Sequence, residues 1–93
     1  MTENTKIVFN YLKEHDGEDM TANDIAEALG LTSRSVNGIL TAALQRHRNE
    51  EKEIVPLIAR VPGEIEDPET GVHKAVKFIQ LTEVGREFDP DAE

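Results

Sequence analysis

"TANDIAEALGLTSRSVNGILTAAL" (residues 21–44) decides the fold. Thr21 stands three residues before Asp24, a shortened capping box. In that arrangement the Thr hydroxyl accepts the third residue's amide and the acid accepts the Thr amide. The helix so begun has Ile25, Ala26 and Leu29 on one face. Gly30 follows, a residue free to take the left-handed backbone that ends a helix. Leu31 is expected as a buried turn residue, and Thr32 or Ser33 as the cap of a further helix. That helix buries Val36, Ile39, Leu40, Ala43 and Leu44 at 3.6-residue spacing. Its end falls somewhere in 45–52.

Two helices that cross steeply through a short turn need a small residue at their closest approach, which Ala26 supplies. They need positive φ at the turn, which Gly30 supplies, and apolar residues one turn apart beyond it, which Val36 and Ile39 supply. With Ile25, Leu29 and Leu31 this is a helix-turn-helix scaffold. A helical hairpin kept for packing alone satisfies the same core and is the alternative.

Working outward, residues 2–15 carry Ile7, Val8, Tyr11 and Leu12 as one helical stripe, with Thr2 or Asn4 as cap. "HDGED" ends it at Gly17. After the quoted stretch the period changes. "EIVPLIARVPG" (53–63) and "VHKAVKFIQL" (72–81) are β-rich runs flanking "EIEDPETG", and read as a two-stranded ribbon with a long acidic tip. "LTEVGREF" (81–88) is a short last helix capped by Thr82, with Val84 and Phe88 four apart. Residues 89–93 are expected as a disordered acidic tail, and 1–88 as a single domain. The fold class is therefore α+β: a three-helix core with a two- or three-stranded β-wing.

Composition limits function. The chain has 93 residues, no Cys and a formal net charge of −9. No thiolate chemistry or disulfide framework is available, and a cytoplasmic setting is expected. No leader pattern or membrane-length apolar run is visible. The three His, at 15, 47 and 73, lack metal-ligand spacing, and the acids of 64–69 lack that of a calcium loop. No catalytic constellation is present, so the reading is a non-enzyme without cofactor or metal. The charge is uneven: residues 31–49 hold Arg34, Arg46 and Arg48 and no acid, while both flanks are acidic.

The quoted stretch, the ribbon and "IQLTEVGREF" together resemble the winged helix-turn-helix domain of bacterial and phage transcription regulators, in particular the MarR-like group. There a wing strand runs into an "LT..G" turn, matched here by Leu81, Thr82 and Gly85. The resemblance spans about residues 5–88. It implies DNA binding through the third helix, about 32–45, in the major groove. Opposite the buried positions that helix carries Thr32, Ser33, Arg34, Asn37, Gly38 and Thr41. Arg can bond guanine bidentately and Asn can bond adenine, while hydroxyls and helix N-terminal amides meet phosphates. Arg46 and Arg48 further along either touch phosphates or solvate the helix end. Gly38 costs about 1 kcal/mol against Ala inside a helix, which close approach to DNA would explain.

The pattern departs from the family at the wing. DNA-binding wings often carry basic tips, whereas this one offers Glu64, Glu66, Asp67 and Glu69, leaving Arg60, Lys74 and Lys77 on the strands as wing contacts. MarR-like proteins also dimerise through long terminal helices that this chain does not show, so monomer and weak homodimer both stay open. Two partners follow. One is double-stranded DNA. The other is a protein docked on the acidic wing, making the chain an adaptor or an antagonist of a nucleic-acid-binding protein.

Overall fold

The computed structural model describes residues 1–90. Helix α1 is Glu3–Glu14, α2 is Ala22–Leu29 and α3 is Ser33–Ile39. The chain continues from α3 without a break into a π-helical turn, Leu40–Gln45. Strands β1 (Ile58–Glu66) and β2 (His73–Leu81) pair antiparallel, and α4 (Glu83–Glu87) follows. The architecture is α+β: a core of three helices, α1 to α3, a two-stranded β-wing, and the short α4 after it. Among the described residues no helix is long and apolar enough to cross a membrane.

Local chemistry sets the boundaries. Thr2 caps α1, its hydroxyl accepting the Thr5 amide at 3.3 Å. Thr21 and Asp24 form both halves of the capping box on α2, at 3.2 and 3.0 Å. Gly30 ends α2 at φ 69°, in the left-handed region where a side chain is strained. Thr32 caps α3, its hydroxyl accepting the Ser35 amide at 3.1 Å. Thr82 caps α4 through the Gly85 amide and donates its own proton to the Pro56 carbonyl.

The core lies where α1, α2, α3 and the π turn meet the base of the wing. Val8, Phe9, Ile25, Val36, Leu40 and Leu44 are wholly buried, and Leu57, Ile58 and Ile79 close it from the wing side. Apolar surface removed from water, at about 25 cal/mol per Å2, is the main stabilising term. The stripe expected on α1 is displaced: Ile7 is 41% exposed, and Phe9 takes the inner place, edge-on to Phe88 with ring centroids 5.7 Å apart. Ile39, Ala43 and Leu31 are half-buried rather than buried.

Two segments differ from the expected ribbon. Residues 53–57 do not extend β1. Instead 47–55 fold back as a small hairpin, with an isolated bridge Arg48–Ile54 and Lys52 at φ 63°. The Val55 amide donates to the His47 carbonyl at 2.7 Å. At the far end the strands persist to the pair Glu66–His73, so the tip is only the turn from Asp67 to Val72. Gly71, at φ 72°, gives its amide to the Asp67 carbonyl, and the Asp67 amide bonds the Val72 carbonyl. The wing is anchored by its base. The Ile79 amide donates to the Met20 carbonyl at 2.7 Å, so the chain entering α2 adds one bond to the free edge of β2. Pro90 is buried; the rest of the expected tail, 91–93, lies outside the described residues.

Candidate nucleic-acid interface

The candidate surface is the outward side of α3, with the wing beside it. Val36, Leu40 and Leu44 turn inward, and Thr32, Arg34, Asn37 and Gly38 are exposed on the other side. From Leu31 to Asn49 the chain carries no carboxylate. Among the described residues Arg34 has no hydrogen-bond or ion-pair partner, so its five donors stay available. Ser33 is half-buried, and its hydroxyl donates to Asn23 Oδ1, tying the start of α3 to the start of α2. A Cβ built on Gly38 meets nothing within 4 Å. Nothing in the fold itself requires glycine there.

Asn37 and Thr41 are not free. The Arg60 guanidinium reaches across from β1, Nη1 to Asn37 Oδ1 at 3.0 Å and Nη2 to Thr41 Oγ1 at 3.0 Å. Its Nε makes a longer contact, 3.4 Å, with Gln45 Oε1. The π turn contributes to this alignment. An α-helix drifts forward over each four-residue step, whereas the wider π turn drifts back, so the positions four and eight after Asn37 stay under one side chain. Arg60, expected as a wing contact, thus spends three of its donors on the chain's own helix.

The basic residues named from sequence do not form one strip. Arg34 and Arg46 lie at opposite ends of the continuous helix, roughly 15–18 Å apart along its axis. Arg46 is exposed and unpartnered among the described residues, in the cap position just past the π turn. Arg48 has left the helix for the 47–55 hairpin, where its Nη1 donates to the Lys52 carbonyl at 2.7 Å. Lys74 and Lys77 are exposed, have no partner among the described residues, and face a groove of about 550 Å3 between the wing and the first turn of α2. Thr21, Asn23 and Asp24 form its far wall, and Asn37 and Arg60 also line it.

Two participants were missed by the sequence reading. Asn23 and Gln45 belong to the same polar surface through Ser33 and Arg60. Position four after Thr41 was a signal for Gln45; Asn23 had none beyond its place beside the cap. The wing tip is as acidic as expected, with Glu66, Asp67 and Glu69 exposed, and Glu64 lies 3.7 Å from His73. Among the described residues no group of three or more His, Asp or Glu is placed to hold a metal ion.

No family model and no curated protein matches the chain. Solved structures do. A single-substitution mutant of MepR from S. aureus is 30% identical, covers 94% of this chain and superposes with a TM-score of 0.61. The S. aureus MepR–DNA complex is 29% identical over 94% of this chain, with a TM-score of 0.57. A second MepR mutant, from a multidrug-resistant S. aureus clinical isolate, gives 29%, 94% and 0.57. This chain accounts for 52%, 57% and 51% of those three, so it spans about half their length. MepR is a MarR-family winged-helix regulator, and over nearly all its residues this chain has a MarR-like winged-helix fold.

Proposed function

We propose that the chain is a DNA-binding transcription regulator, without enzymatic activity, that lays α3 in the major groove of double-stranded DNA with the wing against the neighbouring backbone. The observation that carries this reading is the outward side of α3: exposed at Thr32, Arg34, Asn37 and Gly38, without a carboxylate from Leu31 to Asn49, with an arginine unpartnered among the described residues and a glycine that its own fold does not need. Its likeness to a protein whose complex with DNA has been solved supports the same reading. In it Arg34 reads a base edge, Asn37, Gly38 and Thr41 lie against the groove floor, and Thr32 and Ser33 meet phosphate at the helix start. Arg46, Arg48, Lys74 and Lys77 supply sequence-independent contacts to the backbone. The net charge of −9 does not oppose this, because the potential at the docking face matters more than the sum.

Selection of binding sites from random duplex DNA, at low and at moderate salt, tests the proposal. A recurrent site is expected, bound more weakly as salt rises. Arg34→Ala should cost about 1–3 kcal/mol at that site and relax one position of it. An enriched pool no better than the starting pool at either salt would end the reading. Sedimentation of the free and bound protein decides between monomer and weak homodimer.

One observation favours a second reading, a protein-interaction module. At the wing tip Ile65 and Val72 are 44% and 62% exposed, beside the carboxylates of Glu66 and Asp67. They line a hollow with Pro68 and Ala75 whose rim carries these two acids and, opposite them in charge, Lys74. The exposed apolar pair beside two carboxylates suits a protein surface with a basic group at its edge. Here the tip acids, not α3, would carry binding, and Arg34→Ala would leave it unchanged.

A further inference from the structure

We infer that Arg60 is a positioning residue that biases which bases α3 can read, by engaging the oxygens of its polar row and leaving their N–H and O–H donors to face outward. The inference rests on the DNA-binding reading above. A guanidinium has five N–H groups and no acceptor, so whatever meets it must accept. That fixes the Asn37 amide with its oxygen toward Arg60, at 3.0 Å, and its NH2 group turned away. Thr41 accepts through its oxygen at 3.0 Å, which leaves its own proton free to donate elsewhere. Gln45 is turned the same way by the longer contact with Nε. Three side chains that can each either donate or accept are thus oriented alike.

The consequence is chemical. In the major groove guanine shows two acceptors, N7 and O6, and thymine shows O4. Adenine shows one acceptor beside an amino donor, and cytosine an amino donor. The familiar pairing of Asn with adenine needs the amide oxygen to accept from the adenine amino group. Here that oxygen is engaged, and the positive charge beside it opposes a second donor. A row of donors instead fits keto bases, guanine or thymine. The expectation from residue type, Asn with adenine, is therefore replaced by Asn37 with guanine or thymine. Arg60 acts through Asn37 and Thr41 and need not touch a base.

Site selection with the wild type, Asn37→Ala, Arg60→Met and Arg60→Lys tests this, with thermal melting of each variant to establish that it folds. The wild-type site should hold guanine or thymine at the position whose identity is lost in Asn37→Ala. In Arg60→Met adenine should rise at that same position by about tenfold relative to wild type. Arg60→Lys keeps the charge and still donates without accepting, though without the planar fork, and its profile should stay nearer wild type than that of Arg60→Met. Adenine at that position in the wild type overturns the inference. So does an Arg60→Met profile that differs from wild type only by uniformly weaker binding. If no protein in the set selects any site, the DNA-binding reading itself has failed, and the role of Arg60 falls with it.

Discussion

Gly38 and Gly85 both lack a side chain, for opposite reasons. At Gly85 a Cβ would stand 2.0 Å from the Leu57 carbonyl oxygen, an atom of the main chain that also accepts the Thr82 amide at 3.0 Å. That oxygen cannot retreat without losing its bond. Gly85→Ala is expected to cost about 2–3 kcal/mol, read as a lowered denaturation midpoint in urea. Gly38 is the reverse: its Cβ has open space and its backbone is helical. Gly38→Ala should stabilise the fold by about 1 kcal/mol in the same assay while weakening DNA binding. If binding is undiminished, the glycine is not there for the duplex. From sequence both residues were noticed, Gly38 for its cost in a helix and Gly85 as part of "LT..G". Only the second was tied to a motif, and the atom that forbids a side chain there comes from Leu57, far away in the chain. Arg60 was legible as a basic wing residue but not as a clamp, since its partners lie 23 and 19 residues earlier and helix phase alone does not reveal them.

At the scale of elements, starts and stops were readable because each is made by neighbours in sequence. Thr21, Asp24 and Gly30 do what their spacing says. Thr21→Ala removes the hydroxyl half of the box and should cost about 1 kcal/mol. In a domain of this size that lowers Tm by about 4–8 °C, measurable by circular dichroism. What could not be read was set at a distance. The inner face of α1 is chosen by Phe88, which takes Phe9 against it and leaves Ile7 outside. The 47–55 hairpin has no glycine at its left-handed position, only Lys52 at φ 63°, so its turn carried no signal. Lys52→Gly should therefore relieve strain and raise stability by about 1 kcal/mol, checked by the same melting experiment. The π turn also went unseen, because Leu40 and Leu44 satisfy α-helical spacing as well.

For the molecule as a whole, charge and shape act together. The protein extends 48 Å along its longest axis and only 24 and 21 Å along the others, with exposed carboxylates on the wing tip. If the wing lies along the duplex, those acids repel phosphate. Replacing Glu66 and Asp67 by Gln and Asn should then tighten DNA binding about three- to tenfold at low salt and much less at high salt. An unchanged affinity would mean that the tip points away from the duplex. The same wing is a cantilever. Its base is fixed by Ile58, Ile79 and Leu81 in the core, while beyond Pro62 and Lys77 the strands are held mainly by each other. Stability resides at the root, so the outer hairpin is free to be exchanged. A foreign loop grafted between Asp67 and Val72 would ride on an intact domain, which makes this ribbon the natural handle by which the protein can be labelled, tethered or given a new specificity.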